Sequence, residues 1–208
     1  ELKNKSHVES AWNNSTIKEL NVSGSSVVES SFSGVMVGSA TIENTIFSEN
    51  KLSYSNYASA SFKNVNLEES ELNNTRFGKV SFVNVDATEA NFNSSLMFNS
   101  VISNSLFVEI EMKYANLTLS NISSTDFSES EMNNSVFMKT SLNDVVFEDV
   151  ELPSSDFSSS ELKDVVFDES DMKYSRFSMS KIENVSYVDT KLNNVDFTMS
   201  ELSDVDFS

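Results

Sequence analysis

The residues of this sequence that could do chemistry are carboxylates at a fixed spacing. Every twentieth residue from the ninth is acidic, which gives a ladder of ten positions: Glu9, Glu29, Glu49, Glu69, Glu89, Glu109, Glu129, Asp149, Glu169 and Asp189. Carboxylates in register on neighbouring segments repel one another unless salt screens them or a cation bridges them. The ladder therefore indicates either a solvated edge or a surface that attracts positive charge.

Four consecutive members of this ladder have a second acid two residues further on. The pairs are Glu109 with Glu111, Glu129 with Glu131, Asp149 with Glu151, and Glu169 with Asp171. Because Ca²⁺ takes six to eight oxygen ligands, these carboxylates together with neighbouring Ser and Asn oxygens could bind it. Three interpretations therefore stay open for the ladder: a solvated edge inherited by duplication, a calcium site, and mimicry of the charge of a nucleic acid.

Catalytic motifs are weak in this sequence. The chain has no Cys and a single His, His7. A Ser-x-x-Lys spacing occurs twice, at Ser48 with Lys51 and at Ser160 with Lys163, but a chain this rich in Ser produces it by chance. An enzyme needs convergent groups in a pocket. We therefore expect no enzymatic activity and, apart from calcium, no cofactor.

A repeat of five residues must position these side chains. In the stretch from residue 121 onward, the second residue of each five is large and apolar, as in Phe127 and Met132, and the fifth is small, as in Thr125 and Ser130. A period of five fits neither a helix nor an ordinary strand. Of the 14 basic and 32 acidic residues, only Lys5 falls in either column. Both columns are therefore predicted to point into a core that excludes charge.

This pattern resembles the pentapeptide-repeat family, whose A(D/N)LXX-like fives wind into a four-sided solenoid, although the Ala of that motif is here mostly Ser, Thr or Val. The resemblance implies an all-β fold, a right-handed quadrilateral parallel β-helix with four fives in each coil. At twenty residues per coil the chain makes about ten coils, which gives a rod roughly 50 Å long at ~4.8 Å per coil.

The repeat frame predicts one domain over residues 1–208 with an irregular start over 1–30. A longer repeat of 60 residues overlies it, with units 51–110, 111–170 and 171–208 that place Tyr54, Tyr114 and Tyr174 at equal spacing. Both chain ends fall inside a unit, and the open edge of a solenoid coil tends to pair with another edge. We therefore expect a segment of a longer array, or self-association end to end.

A second candidate surface is apolar. It comprises Leu96, Phe98, Leu119, Val136 and Met138, which fall at outward positions on one side of the predicted rod. Single exposed apolar residues are common on protein surfaces, whereas a patch of several marks a contact. The patch predicts lateral packing against another rod or against a partner protein.

These observations favour a non-enzymatic structural rod or protein-interaction scaffold, part of a larger surface, secreted or filamentous assembly. One alternative follows from the resemblance, because some pentapeptide-repeat proteins mimic duplex DNA and bind type II topoisomerases. The net charge of -18 amounts to about one charge per 3 Å of rod, against one per ~1.7 Å of duplex. The other alternative is a calcium-binding β-solenoid.

The same composition limits the partners and the location. A strongly acidic chain is not expected to bind nucleic acid directly. No apolar run in the sequence is long enough to predict membrane insertion. Several Asn-x-Ser/Thr triplets, such as those at Asn73 and Asn133, lean towards a secreted or cell-surface location.

Overall fold

The structure is a computed structural model that describes residues 2–208, with side chains from Asn4 onward; Glu1, at the start of the predicted domain, lies outside them. The described chain contains fifteen strands, numbered β1 to β15. In order they span Leu2–Lys3, Ser6–Val8, Thr16–Ile17, Leu20–Ser23, Ser26–Val28, Met36–Val37, Ala40–Ile46, Ser61–Asn66, Ser81–Asp86, Val101–Leu106, Asn121–Asp126, Ser141–Val146, Glu161–Val166, Lys181–Ser186 and Glu201–Asp206. Among the described residues there is no helix long and apolar enough to cross a membrane.

Parallel pairing at a constant offset makes the chain a solenoid. From β7 onward each strand pairs with the next in parallel, and the register is twenty residues, as between Ile102 and Ile122 or Leu142 and Leu162. Isolated parallel bridges repeat this offset on the other sides, for example between Glu111 and Glu131. The result is a four-sided parallel β-helix of about ten coils, and the expected fold class is confirmed. Below, the twenty positions of a coil are counted from residues 1, 21, 41 and so on.

The core is built from the two inward columns that the repeat predicts. The large column is buried through the middle of the rod, and its rings stack from coil to coil: Phe137 lies 4.7 Å from Phe157, and Phe157 lies 4.9 Å from Phe177, between ring centroids. These separations match the strand spacing of a parallel sheet. The first and last coils have only one neighbour, so Trp12 and Phe197 are half-buried and Phe207 is 50% exposed.

The small inward column does more than leave room for the rings. The Ser130 hydroxyl donates a hydrogen bond to the Phe107 carbonyl oxygen at 3.1 Å and accepts one from the Ile110 amide at 3.1 Å. The same bridge recurs at other Ser and Thr residues of the column. A buried amide or carbonyl without a partner costs free energy, so these hydroxyls stabilise the turns that face the core.

The corners of the coil require a left-handed backbone. From Tyr54 to Asp204 every fifth residue has a positive φ. At many corners the backbone amide of the following residue donates to the carbonyl oxygen three residues earlier, as from Ser70 to Leu67 at 3.2 Å. A turn of this kind places positive φ at its third residue, where Gly and Asn are preferred.

Candidate functional site

The acidic ladder occupies one of these left-handed corners, at position 9 of every coil. All ten residues have φ between 50° and 59°, and all ten side chains are exposed. Their backbones are fixed by pairing between coils, as where the Glu109 amide donates to the Ser128 carbonyl oxygen at 3.0 Å and the Glu129 amide to that of Glu148 at 2.9 Å. The ladder is therefore held in register by the solenoid backbone.

The corner at position 4 shows what such a backbone favours. There the chain places Asn44, Asn64 and Asn84, and their side chains form an amide ladder. The Asn64 Nδ2 donates to the Asn44 Oδ1 at 2.7 Å, and the Asn84 Nδ2 donates to the Asn64 Oδ1 at 2.9 Å. Asn tolerates positive φ better than Glu does, and its amide donates and accepts in one stack. Position 9 has a similar positive φ, but its side chains carry like charges.

The ladder is the edge of a side of the rod that carries acids and no bases. Positions 6, 8 and 9 share one side, here called the acidic face. Besides the ten ladder residues, this face carries six acids: Glu68, Asp86, Asp126, Glu148, Asp168 and Asp206. Together these are sixteen of the 32 acidic residues, whereas all 14 basic residues lie at other coil positions. Nearly all of the net charge of -18 is therefore carried by one side of the rod.

The acids of this face fall into two groups by their contacts. Those at position 6 hold the turn, since the Asp126 Oδ1 accepts hydrogen bonds from the Ser128 amide at 2.9 Å and from its hydroxyl at 2.5 Å. The ladder carboxylates, by contrast, make no side-chain hydrogen bond or ion pair to any described residue. Five residues line a shallow surface groove of about 260 Å³: Ser128, Glu129, Glu148, Asp149 and Glu169. The free carboxylates here are available to an external cation.

The second acids of the predicted calcium pairs lie around the corner, at position 11, and several already have partners. Glu131 forms an ion pair with Lys113, and Asp171 lies 2.8 Å from the Lys173 Nζ. The Glu111 Oε2 accepts hydrogen bonds from the amides of Asn91 at 2.9 Å and Asn93 at 2.6 Å. Glu151 makes no side-chain contact to another described residue.

These contacts shift the pKa values of two side chains on the side of the rod that carries positions 11 and 13. The hydrogen bond to Glu131 raises the pKa of Lys113, and the carboxylates of Glu111 and Glu151 act in the same direction. Burial acts to raise the pKa of Asp171, but the hydrogen bonds from Lys173 outweigh it and hold that pKa below its ordinary value. Charge on this side is thus partly compensated within the chain, unlike charge on the acidic face.

The structure brings some of the eight predicted calcium ligands together. Glu129, Asp149 and Glu169 line one groove, whereas Glu131, Glu151 and Asp171 do not line it. Within residues 2–208, no set of three or more His, Cys, Asp or Glu residues is arranged to hold a metal ion. The calcium site stays a prediction, and the ladder carboxylates are its free oxygens.

The predicted apolar patch lies on the opposite side of the rod, at positions 16 to 19. Leu96, Phe98 and Leu119 are 37%, 44% and 56% exposed, while Val136 and Met138 are half-buried. The Phe98 ring lies over Gly78, where an added Cβ would come within 2.6 Å of the Phe98 Cζ. Glycine at this position therefore lets the ring fold onto the neighbouring coil.

Three further exposed side chains border this side, and the sequence analysis assigned no role to them. Tyr54, Tyr114 and Tyr174 are 71%, 64% and 61% exposed and occupy the left-handed corner at position 14. Their spacing of 60 residues is visible in the sequence, but their exposure follows from the corner geometry. Glu148 and Asp168 were also missed, although counting charges by coil position would have found them.

Two family models match the chain. One, pentapeptide repeat region, matches residues 140–208, and the other, pentapeptide repeats (8 copies), matches 60–97. Together they cover just over half of the chain. A search of the curated proteins found no significant match.

One solved structure shows the same architecture, and a second aligns over a similar share of this chain. HetL, a pentapeptide repeat protein involved in heterocyst differentiation regulation from the cyanobacterium Nostoc sp. strain PCC 7120, is 12% identical to this chain. The match covers 93% of this chain and 90% of HetL, with a TM-score of 0.64. Trypsin-treated QnrB1, a plasmid-mediated fluoroquinolone resistance protein, is 15% identical over 95% of this chain and 91% of that chain, with a TM-score of 0.44. At these identities the likeness concerns the fold alone. With the repeat frame, the coil register and both family models in agreement, the chain belongs to the pentapeptide-repeat family.

Proposed function

We propose that this protein is a non-enzymatic interaction rod whose acidic face binds a basic surface of a partner protein. The observation that carries this proposal is the distribution of charge: sixteen acids and no base occupy one side of the solenoid. The free ladder carboxylates repeat at every coil, so the face offers a line of negative charge along the rod. Such a line attracts basic partners over a Debye length and fixes their register.

The ladder is costly to the rod, which supports a role in binding. Glu is a poor residue for positive φ, and like charges on adjacent coils destabilise the fold. At Asn44, Asn64 and Asn84 the position 4 corner of the same rod uses Asn, which relieves both costs. Proteins that keep destabilising groups at a surface commonly use them for function.

The rod also suits a larger assembly. Stacked coils without inserted domains form a stiff spacer, and the apolar patch on the side opposite the acidic face offers a lateral contact. We place the protein in a surface, secreted or filamentous assembly, in which lateral packing builds the structure and the acidic face remains open to partners.

A DNA mimic is the second candidate, and the continuity of the acidic face favours it. Its free carboxylates follow one side of about ten coils, like one strand of phosphates. A mimic should compete with duplex DNA for a type II topoisomerase. If the rod at micromolar concentration inhibits the binding of topoisomerase to DNA, the result favours the mimic. If it does not inhibit that binding, the result favours the structural rod.

Binding of a decalysine peptide by fluorescence anisotropy tests the proposed function. The first variant neutralises four ladder residues, by Glu109→Gln, Glu129→Gln, Asp149→Asn and Glu169→Gln. The matched control makes the same change at position 11, by Glu111→Gln, Glu131→Gln, Glu151→Gln and Asp171→Asn. Both variants lose the same charge, so we expect the ladder variant to bind about tenfold more weakly than the control. Equal affinity of the two variants would refute a specific acidic face.

A further inference from the structure

The side of the rod opposite the acidic face is nearly balanced in charge. Positions 16 to 19 carry five bases and three acids: Lys18, Arg76, Lys79, Lys139, Arg176, Glu19, Asp156 and Asp196. The exposed or half-buried apolar side chains of Leu96, Phe98, Leu119, Val136 and Met138 lie between them. This side, here called the balanced face, is therefore the one that two copies of an acidic rod can bring together with least repulsion.

At positions 16 and 18 of the balanced face, the order of residue classes from coil to coil is palindromic. Position 16 reads Arg76, Leu96, Asn116, Val136 and Asp156 from coil to coil, and adjacent members are bridged in parallel. Position 18 reads Gly78, Phe98, Thr118, Met138 and Ser158 over the same coils. In each column an apolar residue stands one coil before and one coil after the coil of residues 101–120. At position 16, the opposite charges of Arg76 and Asp156 lie two coils before and two coils after that central coil.

Two exposed side chains at the borders of the balanced face lie in this central coil. Leu119, 56% exposed, lies at position 19 of the central coil itself. Tyr114 lies at its position 14, and Tyr54 and Tyr174 lie three coils to either side. Tyrosine is enriched at protein interfaces because its ring buries a large area and its hydroxyl keeps a partner.

The two charged residues of the palindrome lack an ionic partner among the described residues. Arg76 is exposed, and neither it nor Asp156 forms an ion pair with any residue that the structure describes. The Asp156 Oδ1 accepts the Ser158 amide at 2.9 Å, which fixes the carboxylate and leaves its other oxygen free. Four coils, or roughly 19 Å at ~4.8 Å per coil, separate Arg76 from Asp156, so they cannot pair within one rod.

We propose that a second copy of this chain docks antiparallel on the balanced face, about a two-fold axis through the coil of residues 101–120. A two-fold interface places the same patch on both subunits, so residue pairs recur reciprocally. Here Arg76 meets Asp156 of the second copy, Leu96 meets Val136, and Phe98 meets Met138, each pair twice. Leu119 and Tyr114 each meet their own counterparts near the axis.

The charges select this orientation over a parallel one. In a parallel two-fold pair, position 16 of one rod faces positions 18 and 19 of the same coil in the other. That arrangement sets Arg76 against Lys79 of the second copy twice, with repulsion at both contacts. In the antiparallel pair Lys79 meets Ser159 and Lys139 meets Asn99, so no like charges oppose each other on this face.

The dimer also keeps the acidic faces apart. Each lies on the side away from the interface, so the full negative charge of both copies remains available to basic partners. The palindrome spans only five coils, so the dimer should be weak rather than permanent. The proposal is independent of what the acidic face binds.

A charge exchange measured by sedimentation velocity tests the pairing. The variants are Arg76→Asp, Asp156→Arg and the double exchange, each followed at concentrations up to several hundred micromolar in about 0.15 M salt. In a homodimer of either single variant, like charges face each other at both contacts. Each single variant should therefore dimerise at least tenfold more weakly than the wild type. The double exchange should recover dimerisation. A mixture of the two single variants should form a heterodimer, because the carboxylate of Arg76→Asp then faces the guanidinium of Asp156→Arg, and the unchanged Asp156 faces the unchanged Arg76.

The outcomes separate this geometry from others. Far-ultraviolet circular dichroism should be unchanged, because both side chains lie outside the core. Replacing Phe98 and Met138 by Ser should also weaken the dimer, whereas replacing Leu106, which is equally exposed on another side, should not. The proposal would be overturned if the wild type stays monomeric at every concentration. It would also be overturned if the wild type dimerises but the mixture of the two single variants stays monomeric. Decalysine binding then tests the acidic face separately.

Discussion

The Ser170 hydroxyl donates a hydrogen bond to the carbonyl oxygen of Phe147, 23 residues earlier, at 2.6 Å. The Ser170 Oγ in turn accepts a hydrogen bond from the Val150 amide at 2.9 Å, so one side chain links two successive coils at a buried turn. Ser170 is fully buried. The small inward column is therefore a hydrogen-bonding column, and its role is to satisfy backbone groups that face the core.

Replacing Ser170 by Ala should lower the free energy of unfolding by about 1–3 kcal/mol, because the Phe147 carbonyl and the Val150 amide lose their shared partner. Chemical denaturation with circular dichroism measures the change. The control is Ser103→Ala, since the Ser103 hydroxyl is half-buried and makes no hydrogen bond to another described residue. Equal losses for the two variants would contradict the bridging role.

Two tyrosine hydroxyls in the core lack partners in the part of the chain that the structure describes. Tyr57 and Tyr187 are fully buried in the large inward column, and neither hydroxyl has a hydrogen-bond partner among the described residues. Replacing either by Phe keeps the ring and removes a buried polar atom. We expect each variant to raise the free energy of unfolding by about 1 kcal/mol. Thermal melting checks this, and a loss of stability would show that the hydroxyls are bonded in solution.

The same two tyrosines should lower the stability of the rod at alkaline pH. Burial raises the pKa of both groups above the ordinary value of 10.0. In the unfolded chain they ionise near pH 10, so their contribution to stability is complete below that pH and is lost as the pH rises above it. Melting temperatures of the wild type should fall above pH 10 more steeply than those of the Tyr57→Phe, Tyr187→Phe double variant. Parallel curves would contradict this cause.

The acidic ladder should carry a measurable cost. Replacing Glu129 by Asn removes one member of a row of like charges and places a residue suited to φ of 59°. We expect about 0.5–1 kcal/mol of added stability at low salt. Glu129→Gln removes the charge alone and separates the two effects, since only the charge part should vanish in high salt. Destabilisation by Asn in both conditions would show that Glu129 supports the fold.

Calcium should act on the ladder if the predicted site exists. Millimolar Ca²⁺ would relieve repulsion between Glu129 and Asp149, which line one groove and whose carboxylates have no partner among the described residues. We expect the melting temperature to rise by a few degrees, and the Glu129→Gln, Asp149→Asn double variant to lose that rise. Magnesium is the control for ionic strength. An equal rise with both metals, or none with either, would leave the ladder without a calcium site.

Much of the fold could be predicted from the sequence because the repeat is a strict property of side-chain volume. Residues such as Phe127 and Thr125 alternate large and small at a constant spacing, and charge is excluded from both columns. The backbone torsions were harder to predict, because no residue type marks every corner: Asn, Glu, Tyr and Lys all occur at positive φ. The hydroxyl bridges could not be predicted either, because the small volume of Ser already explains its place in the small inward column and its hydroxyl adds no further pattern.

The candidate surfaces could be predicted only in part. The ladder follows from its period of twenty, but the extent of the acidic face depends on which outward positions share a side. The patch around Phe98 was recognised by its apolar residues, whereas its flanking charges, Arg76 and Asp156, are informative only once coils are in register. Lys113, which neutralises Glu131, is likewise unremarkable in the sequence.

Carboxyl footprinting tests the central claim most directly. The wild-type rod is treated with a carbodiimide and an amine label, with and without N-acetylated decaarginine, whose guanidinium groups do not couple to activated carboxylates, and labelled sites are mapped by mass spectrometry. We expect decaarginine to protect Glu109, Glu129, Asp149 and Glu169 several-fold, while Glu151, which is exposed on the adjacent side and has no hydrogen bond or ion pair to another described residue, changes little. Protection spread evenly over both sides would contradict the account, because net charge rather than the acidic face would then govern binding.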